Sequence, residues 1–372
     1  MYDSVAKRPF RCLSIDGGGM RGYYSAAYLA ELVSIGRSRY QNDIRDFGKL
    51  FDLIAGTSTG AILGAGLVSG IPVDQIVSLY ASNGSRIFPT PMPASRAKLF
   101  LHLFRRHKLN KLGDAALRDA LQEAFGDITM GEVYSQREIA FAVPAVNLTT
   151  HRGWVFKTPH NSDTNHRDNG YTLVDVCMAS SAAPIYRSLA SLKQNGKSST
   201  RDLFVDGGLW ANNPVMLALI EALRFSAPDQ EIEVFCLGNA PAVAGSTHEP
   251  DDPHWGFGEW MFGARALELS LDAQSQVYDD MARMFCQYSG RPVSVIRFPQ
   301  RRPSASQGAI LNLDSSGKAS LDLMRQLASG AADDTNQMLD DAHRPGSQLR
   351  SLLTSRYPVA LHQSNNPGDS NV

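Results

Sequence analysis

One ten-residue stretch, Phe51–Gly60, constrains the fold of this chain more than any other part of the sequence. It begins as an apolar run typical of a buried strand, passes through the pattern Gly-x-Ser-x-Gly, and leads into an Ala/Gly/Leu-rich run typical of a helix. A serine between two glycines at a strand-to-helix junction is the signature of a nucleophile elbow. Gly56 and Gly60 would leave room for its tight turn. Ser58 would then stand at the tip and Thr59 beside it, and the helical pattern begins at Ala61.

A glycine-rich loop follows the first predicted strand, Phe10–Ile15. It spans Asp16–Gly22, and a helical pattern begins directly after it. Strand, glycine loop and helix in this order form an anion-binding arrangement, because successive backbone N–H groups converge at the start of the helix. The glycine spacing also fits the Gly-x-Gly-x-x-Gly pattern of dinucleotide-binding folds. That alternative requires an acidic residue at the end of the next strand, where this sequence has the serine elbow instead.

A second glycine-flanked aspartate, Asp206, follows a short predicted strand and precedes Gly207 and Gly208. In isolation, Asp-Gly-Gly is typical of a turn. At a sheet edge, a partly desolvated carboxylate can accept the proton of a serine directly, since desolvation raises its pKa toward the working range. A Ser–Asp–His esterase is the alternative, and the later histidines that could complete it lie mostly in segments typical of the surface: His248, His254, His343 and His362.

Composition and charge narrow the class of protein. With 20% charged and 43% apolar residues the chain is typical of soluble globular enzymes, and its net charge of −1 creates no global field that would attract a nucleic acid polymer. The four cysteines are widely spaced and fit no metal-ligand pattern, so we expect neither a metal nor a cofactor. We find no run of signal-peptide or transmembrane length, which together with free thiols predicts a cytoplasmic protein.

Residues 86–111 differ from the rest of the chain, because they carry seven basic and no acidic side chains, interleaved with phenylalanine and leucine. Three prolines between residues 89 and 93 exclude a continuous helix in the first part. From Ser95 onward the pattern predicts a short basic amphipathic helix, which is typical of contact with an anionic lipid surface. A lid or connecting segment packed on the body fits the same pattern.

Strand and helix patterns alternate along the chain, which predicts an α/β layered fold with a mainly parallel sheet. Within this pattern we predict a separate helix over residues 113–125 and a polar loop over residues 191–202. We expect one main domain over residues 9–300, a helical extension packed on it over residues 301–357, and a disordered tail over residues 358–372.

Taken together and in this order, the three motifs resemble those of the patatin-like phospholipase family. They are Asp16–Gly22, Gly56–Gly60 and Asp206–Gly208, and Ser180–Pro184 resembles a further family segment. The resemblance covers roughly residues 9–240. Each motif alone is weak, whereas the set is specific.

The resemblance implies a fold and a mechanism. The fold is a three-layer patatin-like arrangement of a central sheet between helices. The mechanism is hydrolysis of the acyl esters of membrane phospholipids through an acyl-enzyme, with Ser58 as nucleophile and Asp206 as base. Arg21 would add positive charge near the oxyanion. The backbone N–H groups that would bind this oxyanion are those of Gly17, Gly18 and Gly19.

Cytosolic bacterial members of this family include effectors of anti-phage defence, which cyclic nucleotides switch on to degrade the cell membrane. The run Gly208–Val215 looks similar to that subgroup. The resemblance therefore implies a phospholipid substrate and a cyclic dinucleotide activator. We also expect a homo-oligomer that acts peripherally at the inner face of the membrane, with residues 86–111 as the contact. A non-catalytic lipid- or protein-binding relative is the alternative, against which the intact Ser58 and Asp206 argue.

Overall fold

The computed structural model describes residues 8–89, 96–162, 166–194, 200–241, 254–256, 258 and 260–356, and for residues 96–107 and 262 it describes the backbone alone. The predicted tail, residues 358–372, lies outside the described residues. A sheet of eight strands forms the centre of this part of the chain: β1 (Phe10–Ile15), β2 (Leu53–Gly56), β3 (Ala140–Asn147), β4 (Arg152–Lys157), β5 (Ala190–Lys193), β6 (Arg201–Asp206), β7 (Ile232–Leu237) and β8 (Val293–Arg297).

The strands follow the order β5-β6-β3-β2-β1-β7-β8, and β4 also pairs with β3. The five strands from β3 to β8 in this order are parallel to one another, whereas β4 and β6 run antiparallel to β3 and β5 runs antiparallel to β6. Ile15, the last residue of β1, pairs with Gly56, the last residue of β2. The carboxyl ends of these two neighbouring strands therefore carry the glycine-rich loop and the serine elbow side by side.

Helices cover both faces of this sheet. The alternation of side chains along β1 shows why. Phe10 and Cys12 belong to an apolar cluster that also contains residues of the helix Val215–Phe225, whereas Leu13 and Ile15 belong to a larger cluster on the other face. The predicted α/β fold with a mainly parallel sheet between helical layers is therefore confirmed. The helices are α1 (Gly22–Tyr40), α2 (Thr59–Val68), α3 (Val73–Ile87), α4 (Arg96–Phe125), α5 (Met130–Arg137), α6 (Leu173–Ser180), α7 (Gly208–Ala211), α8 (Val215–Phe225), α9 (Ala264–Tyr288), α10 (Ala305–Gly308), α11 (Lys318–Met338) and α12 (Gly346–Thr354).

Two predicted elements differ from the structure. The short helix expected from Ser95 and the separate helix over residues 113–125 are one continuous helix, α4. Gly113 does not end a helix but permits close packing, since a Cβ built on it would lie 3.3 Å from the carbonyl carbon of Ile87. The predicted loop over residues 191–202 contains parts of two paired strands, β5 and β6. Their polar residues misled the prediction, because β5 lies at the edge of the sheet and exposes every second side chain.

The predicted C-terminal extension packs closely on the main body. The Tyr28 hydroxyl of α1 lies 2.6 Å from the Thr335 hydroxyl of α11. The Arg11 guanidinium of β1 donates to the Ser351 hydroxyl of α12 over 2.7 Å. Because these contacts join the extension to the first strand and the first helix, we propose that residues 301–356 fold as one unit with the rest. None of the helices in the described ranges combines the length and the apolar character that crossing a bilayer requires.

Candidate active site

Ser58 stands at the tip of the turn between β2 and α2, in a backbone conformation that is costly for a non-glycine residue. Its φ is 55° and its ψ is −118°. Such a conformation costs about 1–3 kcal/mol and persists only where the surroundings enforce it. Here the Ser58 N–H donates to the Ser180 hydroxyl over 2.9 Å, and that hydroxyl donates to the Pro144 carbonyl over 2.7 Å. The segment Ser180–Pro184 thus contributes to holding the elbow.

The two glycines of the elbow lie where backbone segments touch. A Cβ built on Gly56 would lie 2.6 Å from the carbonyl carbon of Gly60. One built on Gly60 would lie 2.9 Å from the Asp16 carbonyl oxygen and closer still to that of Ile15. Real Cβ atoms do not approach backbone this closely, so both positions require glycine. The elbow is thereby pressed directly against the start of the glycine-rich loop.

Asp206 reaches Ser58 from the end of β6. The Ser58 hydroxyl donates to Asp206 Oδ2 over 2.7 Å, and the Gly208 N–H donates to Asp206 Oδ1 over 2.6 Å. Strand register explains the meeting, since Asp206 pairs with Ala145, which lies three residues beyond Ala142, the last β3 residue that pairs with β2. Gly207 is required here as well, because a Cβ built on it would lie 2.6 Å from the carbonyl carbon of Pro144.

Burial tunes the carboxyl group of Asp206. Ser58 and Asp206 are 9% and 6% exposed. Desolvation raises the pKa of Asp206 from 3.8 to about 6, against the hydrogen bonds from Gly208 and Ser58 and the positive charge of Arg187. A pKa in this range leaves the group ionised at neutral pH and still basic enough to accept a proton from a hydroxyl.

The glycine-rich loop lies beside Ser58, but one of its N–H groups is already engaged. A Cβ built on Gly17 would lie 3.4 Å from Ser58 Cβ. The Gly17 N–H itself donates to the Asn212 carbonyl over 2.8 Å, which anchors the loop. This corrects the expectation that Gly17 contributes to an oxyanion hole. The described residues offer no acceptor to the N–H groups of Gly18 and Gly19, so these two remain available.

The conformation of this loop depends on two further contacts. Gly19 has a φ of +56°, which favours glycine, and a Cβ on it would lie 3.1 Å from the carbonyl carbon of Leu313. The Met20 N–H donates to the Leu313 carbonyl over 2.8 Å. Gly22 brings α1 onto the elbow, since its Cβ would lie 2.7 Å from Thr59 Cγ2. These contacts hold the loop directly beside the elbow.

Arg21 places a buried cation at the same site. Its side chain lines the pocket described below, and its Nε has no hydrogen-bond partner. Desolvation lowers the pKa of Arg21, and the carboxylates of Asp272 and Glu268 oppose this shift. Arginine stays protonated under such conditions. The site therefore combines two free N–H donors with one positive charge.

Arg297, at the end of β8, anchors the glycine-rich loop through Asp16, its first residue. Sequence analysis did not identify this arginine. Its guanidinium contacts Asp16 Oδ2 at 2.9 Å and Asp279 Oδ1 of α9 at 2.6 Å. Asn213 donates to the same Asp279 oxygen over 2.7 Å. Burial raises the pKa of Asp16 to about 6, and Arg297 opposes that shift. The only sequence signal was an arginine at the end of an otherwise apolar strand.

We expect Arg297→Lys to lower kcat for a soluble ester at least about tenfold, with KM changing less than about twofold. Lysine cannot contact two carboxylates with a planar fork, so Asp16 and the loop behind it lose their position, and small misplacements of catalytic groups are costly. Arg301→Lys is the matched control, since its guanidinium pairs with Asp334 at the surface. Steady-state kinetics gives kcat and KM of the two variants, which are compared once their thermal unfolding temperatures are shown to match. Equal kcat in both variants would contradict the prediction.

Ser58 and Asp206 lie in the wall of an apolar pocket. The space between its lining residues, together with the adjoining solvent, amounts to about 930 Å³. Its walls are mostly apolar, which suits a hydrocarbon chain. Ile87 and Phe88, from the start of the basic stretch over residues 86–111, contribute to the wall. The other leucine and isoleucine side chains of the lining are Ile62, Leu79, Leu117, Leu209, Leu267, Leu271 and Leu313.

No histidine lines this pocket within the part of the chain that the structure describes. The buried His160 is engaged elsewhere, since its Nε2 lies 3.1 Å from Glu221 Oε2 and its Nδ1 lies 2.9 Å from the Thr158 hydroxyl. His254 and His343 are exposed. A Ser–Asp–His triad is therefore not formed by these residues. The described ranges also contain no cluster of side chains that could hold a metal ion.

Comparisons with known proteins agree with the motifs. Residues 13–219 match the family described as patatin-like phospholipase. A cGAMP-activated phospholipase of Pseudomonas aeruginosa is 35% identical over 275 residues, which cover 74% of each chain. One of Vibrio cholerae is 29% identical over 74% of this chain and 77% of its own. A cUMP-AMP-activated phospholipase of Escherichia coli is 30% identical over 61% of this chain and 64% of its own. The resemblance is thus confirmed, and the chain belongs to the patatin-like phospholipase family.

Proposed function

We propose that this protein is a lipid acyl hydrolase that cleaves acyl esters of membrane phospholipids with Ser58 as nucleophile and Asp206 as general base. The observation that carries the proposal is the 2.7 Å hydrogen bond between Ser58 Oγ and Asp206 Oδ2 in the lining of an apolar pocket. A serine hydroxyl is a weak nucleophile until a base accepts its proton, and Asp206 is the base in reach. The pocket would hold the acyl chain.

The chemistry proceeds in two halves. Asp206 accepts the proton as Ser58 Oγ attacks the ester carbonyl, and the resulting oxyanion is stabilised by the N–H groups of Gly18 and Gly19. Arg21 and the amino end of α2 add positive potential. The intermediate collapses to an acyl-enzyme as protonated Asp206 returns the proton to the leaving alcohol. In the second half, Asp206 accepts a proton from a water molecule as this water attacks the acyl carbonyl. Asp206 returns the proton to Ser58 Oγ as the bond between Oγ and the acyl carbon breaks and the fatty acid leaves.

We expect kcat/KM for a soluble ester to rise with pH through about 6 and to reach a plateau above about pH 7. The carboxylate form of Asp206 must be present for proton transfer, and its pKa lies at about 6. Initial rates between about pH 4.5 and 8.5 measure the profile. Full activity at about pH 4.5 would exclude this carboxylate as the base.

The central experiment combines fatty-acid release from phospholipid vesicles with labelling by a fluorophosphonate, which reacts with activated serines. We expect one labelled site at Ser58, no label in Ser58→Ala, and no fatty-acid release by that variant. His343→Ala should retain full activity, since that exposed side chain takes no part. Label on another serine would contradict the assignment. Failure to release fatty acid under any activating condition would favour the non-catalytic relative.

We further propose that a cyclic dinucleotide activates the enzyme and that it acts in anti-phage defence. Supporting this, the relatives described above are named for activation by cGAMP or cUMP-AMP. Release of fatty acid should be low until the right cyclic dinucleotide from a panel is added. A purified protein that is fully active alone and indifferent to every member of the panel would refute the proposal.

Peripheral contact with the inner face of the membrane is proposed through α4. Lys108, Lys111 and Leu112 are exposed on its described part, which suits an anionic surface with an apolar interior. Residues 90–95 of the basic stretch lie outside the described residues. Binding to anionic vesicles should weaken in a Lys108→Glu/Lys111→Glu variant at low salt. Unchanged binding would locate the contact elsewhere.

A further inference from the structure

Helix α9 exposes more large apolar side chains than any other described element. Six of the thirteen exposed large apolar side chains in the described ranges lie on it. Exposed patches of this kind mark interaction surfaces. The exposed fractions at its C-terminal half are high: Val277 52%, Met281 47%, Met284 58% and Tyr288 81%.

These four side chains lie in one stripe along the helix, and the other two of the six, Leu269 and Phe285, lie outside it. Seven exposed residues follow one another at intervals of three or four, which is the spacing of a single helical face. The stripe extends over about 33 Å. The opposite face packs on the protein, where Ala264 and Ala282 are buried and Leu267 and Leu271 line the pocket. The α9 stripe consists of Ala266, Ser270, Ala273, Val277, Met281, Met284 and Tyr288.

The α9 stripe is complementary to itself. Small residues occupy its first half and large ones its second half, at equal distances from Val277. If two copies of α9 packed antiparallel with a two-fold axis at Val277, every small residue would face a large one. Small against large is the arrangement by which facing helices interdigitate. The facing pairs would be Ala266 with Tyr288, Ser270 with Met284, and Ala273 with Met281.

Charge argues against an anionic bilayer as the occupant. Over Ala264–Tyr288 the helix carries four acidic residues and two basic ones. Helices that lie in membrane interfaces are instead rich in lysine and arginine. A protein surface with the same balance of small and large apolar side chains is the better complement, and a second copy of this chain offers it.

We propose that the α9 stripe is the interface of a symmetric homodimer in which two α9 helices pack antiparallel about Val277. Such an interface is isologous, as in most two-fold dimers. Dimerisation would also affect the pocket, and this part of the proposal rests on the proposed function. Gln274 of α9 accepts from the Asn212 N–H over 2.7 Å, and Asp279 holds Arg297. Pairing would therefore hold one wall of the pocket and the glycine-rich loop in place.

The first test is the mass of the protein in solution against concentration, measured by light scattering, which needs no enzyme activity. We expect a dimer that Val277→Glu weakens at least about tenfold, because two carboxylates would face each other at the two-fold axis. Ile310→Glu is the matched control, since that side chain is also exposed but lies outside α9. A monomeric wild type, or a Val277→Glu variant as dimeric as the control, overturns the proposal.

The second test determines the direction of packing. In a Cys286→Ser background, chains with Ser270→Cys and chains with Met284→Cys are mixed and treated with a short bismaleimide. Antiparallel pairing brings these two positions together and keeps the two Met284→Cys sites about 21 Å apart. We expect linked dimers in the mixture and none with Met284→Cys alone. The reverse result overturns the antiparallel interface. The wild type could instead be a monomer that binds vesicles, with Val277→Glu abolishing this binding. That result would assign the stripe to lipid and overturn the proposal.

Discussion

Asp206→Asn should abolish ester hydrolysis and, at neutral pH, make the folded protein more stable. The amide cannot accept the proton of Ser58, so we expect kcat to fall about 10³-fold or more. It can still accept from the Gly208 N–H and donate to the Ser58 hydroxyl, so the local geometry is kept. What it removes is the cost of burying a carboxylate.

The sign of this stability change follows from the pKa of Asp206, which burial raises from 3.8 to about 6. Between these values the folded state binds more protons than the unfolded state, so the free energy of unfolding falls as pH rises. The buried carboxylate lowers the free energy of unfolding by about 2–3 kcal/mol above about pH 6 and has no such effect below about pH 4. Asp206→Asn should therefore be more stable than wild type at about pH 7.5 and show no such gain at about pH 4.

Urea unfolding at the two pH values measures this effect, and Ser58→Ala is the matched control. Ser58→Ala should be equally inactive, yet it leaves the buried carboxylate in place and removes one of its hydrogen bonds, so it should gain no stability at either pH. If Asp206→Asn is destabilised at about pH 7.5, the carboxylate is not the costly group proposed. If Asp206→Asn still releases fatty acid at the wild-type rate, another base is at work.

Gly60→Ala should destabilise the protein and remove its activity, although alanine is normally the better helix residue. Its Cβ would lie 2.9 Å from the Asp16 carbonyl oxygen and closer still to that of Ile15, and neither backbone can yield without moving the glycine-rich loop. Overpacking of this kind costs about 1–3 kcal/mol. The loop would move away from Ser58, so the oxyanion donors would lose their position.

Gly66→Ala in the same helix is the control for this substitution. Its Cβ would meet only the side chain of Ile76, with Cδ1 at 2.6 Å and Cγ1 at 3.0 Å, and no backbone atom. The gain in helix propensity, about 1 kcal/mol, should offset most of that contact. Urea unfolding should thus separate two chemically identical substitutions six positions apart. Equal stability of the two variants would show that the junction at Gly60 can relax.

The elbow and Asp206 could be predicted because each motif is local and each follows a strand. β1 and β2 are parallel neighbours, so the glycine-rich loop and the elbow that follow them meet without further information. Asp206 ends β6, which runs antiparallel to β3, and it reaches Ser58 because β6 pairs with the last residues of β3. That register has no signal in the sequence. The fold class followed from the same alternation. The network around Arg297 could not be predicted in this way. Its partners, Asp16 and Asp279, come from a loop and a helix face, and only the packing of α9 on β8 brings them together.

The loss of Gly17 as an oxyanion donor has a similar cause. Its N–H is engaged by the carbonyl of Asn212, a backbone contact for which the side chains give no signal. The continuity of α4 was missed for a related reason. Glycine is typical of a helix end, but Gly113 serves to admit the backbone of Ile87. In both cases tertiary packing, and not local preference, decides the role of a glycine.

The carbonyl of Leu313 also limits how far this chain can be shortened. The family match ends at residue 219, yet β7, which lies beside β1 in the sheet, begins only at Ile232. The glycine-rich loop in turn needs the Leu313 carbonyl as acceptor for the Met20 N–H. A fragment cut at the boundary of the match would leave the β7 side of β1 unpaired. A fragment cut at residue 300 would remove the Leu313 acceptor and release the loop beside Ser58. A truncation or a fusion partner should therefore be placed after the last residue of α12.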